Sequence, residues 1–213
     1  MSAIQVAQAV GAEIYATAGS ERKRDYLRSL GIQHIYDSRS LDYSDAILRD
    51  TDQLGVDVVL NTLTGKGFIE ASLNACARDA RFVEISKRDV WTETEVHAHR
   101  QDITYTLLAL DSMLTDDPWS IQSLWAAILP QFESGIYHPI HNEHYALTEV
   151  KEAFKIMQRA EHMGKVVISL TPEYQAKLTK KPGAFLVTGG LRGLGFEVAK
   201  SLVSEGAECL ILV

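Results

Sequence analysis

The stretch VDVVLNTLTGKGFIEASLNACARDARFVEIS, residues 56–86, contains two strand-like runs on either side of a helical segment. VDVVLN (56–61) is almost continuously apolar, which is typical of a strand covered on both faces of its sheet. The residues that follow predict a helix over about 66–77, and RFVEIS (81–86) predicts a second strand. A strand, a helix and a strand at this spacing indicate a βαβ unit and therefore a parallel sheet.

The same alternation continues on both sides of this stretch. Further strands are predicted over 12–17, 32–37 and 165–170, and further helices over 21–31, 43–50, 103–115 and 118–133. We therefore predict an α/β fold with a Rossmann-like, doubly wound parallel sheet over 1–170. A segment with prolines and lysines but no apolar stripe predicts a linker over 171–182, and residues 183–213 predict the first β-α-β of a second Rossmann domain.

Composition excludes several classes of protein. Of the 213 residues, 46% are hydrophobic and 23% are charged, which is ordinary globular usage and argues against disorder or a coiled coil. No apolar run approaches the roughly 20 residues of a membrane span, and no secretory signal is present, so we expect a cytoplasmic protein without membrane contact. The net charge of −7 without a long basic run argues against nucleic-acid binding. Two distant cysteines favour neither a disulfide framework nor a zinc site.

The clearest motif is TGGLRGLG (188–195), which follows an apolar strand and opens a helix. Glycines in such a turn let the backbone pack tightly and bring amide N–H groups close to a pyrophosphate at the helix N-terminus. An ordinary glycine-rich turn between a strand and a helix is the alternative interpretation. The candidate nucleotide-binding residues are Gly189, Gly190, Gly193 and Gly195.

The first sheet has no such glycine loop. In a dinucleotide fold, the residue that contacts the adenosine ribose lies about 20 positions after that loop, and here this position is Gly19-Ser20. Counting back places the loop at or before Met1, so we expect the chain to begin inside a Rossmann unit. An acidic residue at the ribose position would select NAD, whereas the basic residues 22–24 suit a 2′-phosphate. The alternative is a solvated basic face of a helix.

Together these segments resemble the enoyl reductase domain of modular polyketide synthases and animal-type fatty acid synthases, in the zinc-free branch of the medium-chain dehydrogenase/reductase superfamily. The resemblance covers about residues 3–170, and residues from 183 onward resemble the start of a ketoreductase of the short-chain dehydrogenase type. The segments that carry the enoyl reductase resemblance are AGS (18–20) with Lys23, DSR (37–39), GVDVVLNTL (55–63), RFVEISKRD (81–89) and GKVV (164–167).

The resemblance implies roles for individual residues. The positions that it implies for the NADPH 2′-phosphate are Ser20, Lys23, Ser38 and Arg39. The positions that it implies beside the nicotinamide ribose are Asn61, Thr62 and Leu63. Lys87 and Asp111 match residues that are proposed to help protonate the substrate. Taken on their own, Lys87 and Asp111 would be interpreted as solvent-exposed charged residues.

The resemblance also implies a reaction, namely the metal-free reduction of a trans-2-enoyl thioester on acyl carrier protein to the saturated thioester by NADPH. The protein would orient the nicotinamide, offer hydrogen bonds to the enolate and supply a general acid. The implied partners are other domains of the synthase and a second copy in a homodimer. We expect this chain alone to be inactive. A stand-alone quinone oxidoreductase or enoyl-CoA reductase and a non-enzymatic scaffold are the alternatives.

Overall fold

The computed structural model describes residues 1–170, 184–204 and 206–213. The chain divides into two compact units, Met1–Pro139 and Ile140–Val213. The predicted linker over 171–182 lies outside the described residues, and the division into domains stays a prediction. Within the described ranges, no helix combines the length and the apolar character needed to cross a lipid bilayer.

Helices and strands alternate along the first unit. The helices are α1 (Ser2–Ala9), α2 (Glu21–Ser29), α3 (Tyr43–Asp50), α4 (Phe68–Asn74), α5 (Glu93–His99), α6 (Leu110–Asp116) and α7 (Pro118–Glu133). The strands are β1 (Tyr15–Ala18), β2 (His34–Asp37), β3 (Val56–Asn61), β4 (Cys76–Glu84) and β5 (Thr104–Leu107). β1 pairs with β2, and β3, β4 and β5 form a second sheet in that order. Every one of these pairings is parallel, which confirms the predicted α/β fold with parallel strands.

Strands and helices also alternate in the second unit. Its elements are β6 (Asn142–Ala146), a 3-10 turn (Leu147–Glu149), α8 (Val150–Gln158), β7 (Lys165–Ser169), β8 (Ala184–Val187), α9 (Gly193–Ser204) and β9 (Cys209–Leu212). β6 pairs with β7 and β8 pairs with β9, both in parallel. The strand, glycine turn, helix and strand predicted beyond residue 183 are therefore present.

The predicted helix over 103–115 is wrong at its beginning. Thr104–Leu107 forms β5, and the helix starts only at Leu110. The tertiary reason is the pairing of Tyr105 with Phe82 in β4, where the two rings lie 5.8 Å apart. Aromatic and β-branched residues favour such a strand once a partner strand is present. The polar stretch before it contains α5, which the helical patterns did not predict.

Besides a small cluster around Ala18, Leu27 and Ile32, two larger apolar clusters hold the first unit together. One joins α4, β4, α5 and β5, and its members Leu73, Phe82 and Val96 have no exposed surface. The other is built on buried residues of α3 and α4, including Tyr43 and Ile47, and also includes residues of β1, β2 and β3. Helices α3 and α4 therefore connect the two sheets of this unit.

Arg100 closes the end of α4. Its guanidinium donates two hydrogen bonds to Asp102, at 2.7 and 2.6 Å, and further ones to the carbonyls of Leu73, Cys76 and Ala77 at 3.0–3.3 Å. The Leu73 carbonyl lies in the last turn of α4, where carbonyls have no partner within the helix, and the other two belong to the first residues of β4. The guanidinium therefore satisfies groups that are costly to leave unpaired. The hydrogen bonds from Arg100 also hold the pKa of Asp102 well below its usual range.

Replacing Arg100 by Met should lower the free energy of unfolding by about 2 kcal/mol, because several partly buried hydrogen bonds are lost while the aliphatic stem is kept. The matched control is Arg28→Met. Arg28 also pairs with two carboxylates, but its side chain is 52% exposed. Exposed pairs of this kind contribute little to stability, so this change should be close to neutral. Urea unfolding of the 213-residue chain measures both losses, and equal losses would contradict the role given to Arg100.

Candidate functional site

The first group of candidate residues lies at the carboxyl ends of β1 and β2. Ala18 pairs with Asp37 in the sheet, so the turns that follow the two strands lie side by side. A Cβ atom on Gly19 would lie only 3.1 Å from Arg39 Nε and 3.2 Å from Ser38 Oγ. The absence of a side chain at Gly19 therefore leaves space next to Ser38 and Arg39, two of the positions that the resemblance implies for the 2′-phosphate.

Ser20 and Lys23 begin the neighbouring helix. Ser20 is the N-cap of α2, and its hydroxyl accepts a hydrogen bond from the Lys23 amide at 3.4 Å. The positive end of the helix dipole lies at this point and favours an anion. Because Ser20 and Lys23 follow β1, and β1 ends beside β2, they lie at the same edge of the sheet as Ser38 and Arg39.

Arg24 is a residue of this edge whose structural role the sequence did not reveal. Its guanidinium donates to the Ala18 carbonyl at 3.0 Å and lies 3.8 Å from the Asp37 carboxylate. Asp37 in turn accepts the backbone N–H of Arg39 at 2.9 Å. Arg24 thus offsets the negative charge of Asp37, and Asp37 fixes the backbone that carries Arg39.

The second group lies at the carboxyl ends of β3, β4 and β5. Asn61 is the last residue of β3 and is 3% exposed. Its side-chain amide donates to the Leu63 carbonyl at 3.1 Å, and its side-chain oxygen accepts the Leu63 N–H at 3.2 Å. Thr62 lies exposed between them. Two hydrogen bonds therefore hold the Asn61–Leu63 turn, while its middle residue faces solvent.

Lys87 and Asp111 form an ion pair. Lys87 follows β4, and Asp111 lies in the first turn of α6 after β5. The Lys87 ammonium donates a hydrogen bond to Asp111 Oδ2, and both side chains are about two-thirds exposed. This hydrogen bond holds the pKa of Asp111 below its ordinary value. Lys87 and Asp111 are indeed exposed, as their residue types suggested, but the fold places them together.

Glu84 lies at the centre of this group, and the sequence reasoning did not identify it. It has no exposed surface, although it is a carboxylate. Its two oxygens accept hydrogen bonds from Asn61 Nδ2 at 2.5 Å and from the Ser86 amide at 2.7 Å. The signal that could have found it is a charged residue two positions after Phe82, on the same face of an apolar strand.

A cavity of about 440 Å³ opens between the turns that follow β3 and β4. It is bounded by Gly65–Gly67 and Asp89–Trp91, with Ile69 and Glu70 of α4. No group of three or more His, Cys, Asp or Glu side chains within residues 1–170, 184–204 and 206–213 is arranged to hold a metal ion. Cys76 and Cys209 are both free, and burial raises the pKa of the Cys76 thiol to about 12.

The glycine loop of the second unit depends on all four predicted glycines. Gly189 and Gly193 have φ values of 69° and 58°, a region that other residues rarely adopt. A Cβ atom on Gly190 would lie 2.8 Å from the Val187 carbonyl oxygen, and one on Gly195 would lie 2.3 Å from that of Gly189. These contacts explain the glycines by packing, and nucleotide binding at this loop stays a prediction.

Comparisons with known proteins give the family. The family model described as zinc-binding dehydrogenase matches residues 30–168. A mycocerosic acid synthase-like polyketide synthase of Mycobacterium tuberculosis is 37% identical over 99% of this chain. A mycocerosic acid synthase-like polyketide synthase of Mycolicibacterium smegmatis is 38% identical, also over 99% of this chain. This chain spans about a tenth of the length of each of these relatives (10% in both).

Solved structures show the same relationship. The CurK enoyl reductase is 40% identical with a TM-score of 0.73, over 79% of this chain and 50% of that one. The nucleotide-binding subdomain of the PpsC enoylreductase domain from Mycobacterium tuberculosis is 36% identical with a TM-score of 0.57, over 64% of this chain and 76% of that one. Dehydrogenases of this kind are oxidoreductases that use a nicotinamide cofactor. The chain belongs to the zinc-binding dehydrogenase family and is similar, within it, to the enoyl reductase domains of polyketide synthases.

Proposed function

We propose that this chain is the nucleotide-binding part of an enoyl reductase in a polyketide synthase, which uses NADPH to reduce a trans-2-enoyl thioester carried on acyl carrier protein. The observation that carries this proposal is the Lys87–Asp111 ion pair. These residues lie 24 positions apart in the sequence and meet at the strand ends next to the Asn61–Leu63 turn. The identity of 37–40% to polyketide synthases and to an enoyl reductase supports the same reaction.

Selection of NADPH is supported by the pocket beside Gly19. The space that a Cβ would fill there is bounded by the Ser38 hydroxyl and the Arg39 guanidinium, which suit a phosphate group. The Asp37 carboxylate lies next to this turn, and its charge is offset by Arg24. Ser20, Lys23, Ser38 and Arg39 would hold the 2′-phosphate, and NADPH, when bound, supplies the hydride.

The residues of this chain would supply the proton. The Lys87 ammonium is a charged donor held in place by Asp111, and its exposure allows solvent to replace a proton that it gives away. The Asn61–Leu63 turn would fix the nicotinamide ribose through a backbone that two hydrogen bonds already hold. Lys87 would thus act as the general acid, and Asp111 would orient it.

The second unit supports a further part of the proposal. The loop from Gly189 to Gly195 has the backbone geometry that lets a helix N-terminus approach a pyrophosphate. We assign residues 183–213 to the start of a ketoreductase domain, joined by a linker over 171–182 to the enoyl reductase part over 1–170. The other synthase domains and a second copy of the synthase would be its partners, in the cytoplasm.

The proposed function is tested directly on the complete synthase polypeptide that contains this chain, called the full-length protein below. A crotonyl-pantetheine thioester should cause oxidation of NADPH and yield the saturated thioester, whereas a benzoquinone should be a poor acceptor. The 213-residue chain alone should show no turnover, because it covers only 50% of the CurK enoyl reductase. Preferential reduction of the quinone would favour the rival function of a quinone oxidoreductase.

Replacing Arg39 by Gln should weaken NADPH binding about tenfold, because a charge-assisted hydrogen bond to the 2′-phosphate is lost. NADH lacks this phosphate, so its binding should not change. Arg78→Gln is the matched control, since the Arg78 side chain is 90% exposed near the amino end of β4. Fluorescence titration of the full-length variants measures both affinities, and an equal loss for NADPH and NADH would contradict the assignment.

Replacing Lys87 by Ala should lower kcat about a hundredfold with little change in the KM for NADPH, because a general acid is removed while cofactor binding is kept. Lys155→Ala is the control, since Lys155 forms an ion pair with Glu152 that is also solvent-exposed but lies in α8. Steady-state kinetics with the crotonyl thioester measures the two variants. A Lys87→Ala enzyme with full kcat would show that Lys87 is not the acid.

A further inference from the structure

Glu84 is a buried carboxylate, and none of the residues that the structure describes forms an ion pair with it. It is fully buried at the end of β4. Removing such a charge from water is costly, and hydrogen bonds must compensate for that cost. Its known donors are the neutral amide of Asn61 and the backbone N–H of Ser86.

Each oxygen of this carboxylate fixes a different turn. Oε1 accepts the Ser86 N–H at 2.7 Å, one residue before Lys87. Oε2 accepts Asn61 Nδ2 at 2.5 Å, and the same Asn61 side chain holds both backbone groups of Leu63. One side chain therefore connects the turn that carries the candidate acid with the turn assigned to the nicotinamide ribose.

The backbone of Glu84 also contacts the turn that follows β5. Its carbonyl accepts the Leu108 N–H at 2.8 Å, three residues before Asp111. The next residue, Ile85, donates its N–H to the Asn61 carbonyl at 3.2 Å. The turns after β3, β4 and β5 thus all meet at one residue. The candidate reaction residues Asn61–Leu63, Lys87 and Asp111 lie at or shortly after the ends of these strands.

We propose that Glu84 is a positioning residue, which sets the distance between Lys87 and the Asn61–Leu63 turn. The proposal rests on the enoyl reductase function above. Gln at this position is nearly isosteric but has only one acceptor oxygen, so one of the two incoming N–H donors would face an NH₂ group. The Ser86–Lys87 turn and the Asn61–Leu63 turn would then no longer be held in one arrangement.

The kinetic test is a double-mutant cycle in the full-length protein with NADPH and a crotonyl-pantetheine thioester. Glu84→Gln should lower kcat about tenfold, as small displacements of catalytic groups do, with less than about a threefold change in the KM for NADPH. In a Lys87→Ala background the same change should cost less than about twofold, because Glu84 acts through Lys87. Additive losses would indicate a general structural role and overturn the proposal.

A second readout does not depend on activity. Deuterium exchange of the backbone amides in segments 61–64 and 85–88 should become faster in Glu84→Gln. The control is Glu95→Gln, since Glu95 also accepts the amide of a nearby residue, Thr92, at 2.7 Å, but outside these turns. The control should leave exchange in both segments and kcat unchanged. Unchanged exchange in Glu84→Gln would overturn the proposal.

The outcomes separate this inference from the proposed function. If the unmodified protein does not reduce the thioester, the function is wrong, and exchange still reports whether Glu84 orders the turns. If the unmodified protein is active and Glu84→Gln retains its kcat, only the inference is wrong. If neither Glu84→Gln nor Glu84→Asp shows a cooperative thermal transition, Glu84 is a requirement for folding, and the positioning role is wrong.

Discussion

The parallel register of β3, β4 and β5 is the constraint on which the candidate site depends. It aligns Asn61 with Glu84 and Glu84 with Leu107 at one edge of the sheet. A slip of one residue would turn the Glu84 side chain to the opposite face and separate it from Asn61. The apolar cluster around Phe82 and Val96 opposes such a slip, because it would expose residues that are fully buried. Core packing and site geometry are therefore fixed by the same register.

The two strand-end groups hold their carboxylates in different ways. At the β1–β2 edge, the charge of Asp37 lies near Arg24, and its oxygen fixes the backbone of Arg39. At the β4 end, the donors to Glu84 are neutral. In the first arrangement, Arg24 forms the ion pair with the Asp37 carboxylate. In the second arrangement, two neutral donors hold the Glu84 side chain against the turn that carries Lys87.

The sequence was sufficient for those parts of the fold that depend on local pattern. The spacing of apolar runs predicted the parallel βαβ units. It was insufficient where a partner strand decides, since Thr104–Leu107 became a strand only by pairing with β4. It also could not pair Lys87 with Asp111, because their contact depends on where two turns meet in three dimensions.

The Gly189–Gly195 loop has a motif that can be recognised in the sequence, whereas the Asn61–Leu63 turn has none, and the structure shows why. In the second unit, Gly190 and Gly195 are required because a Cβ atom at either position would collide with the backbone. The geometry of this loop is therefore visible in the sequence as a pattern of glycines. In the first unit, the Asn61–Leu63 turn has its shape from side-chain hydrogen bonds to Glu84 and to its own backbone. A glycine pattern is visible in one stretch of sequence, whereas a hydrogen-bonded pair 23 residues apart is not. Buried polar residues at the ends of parallel strands are therefore the feature to look for when a turn carries no glycine motif.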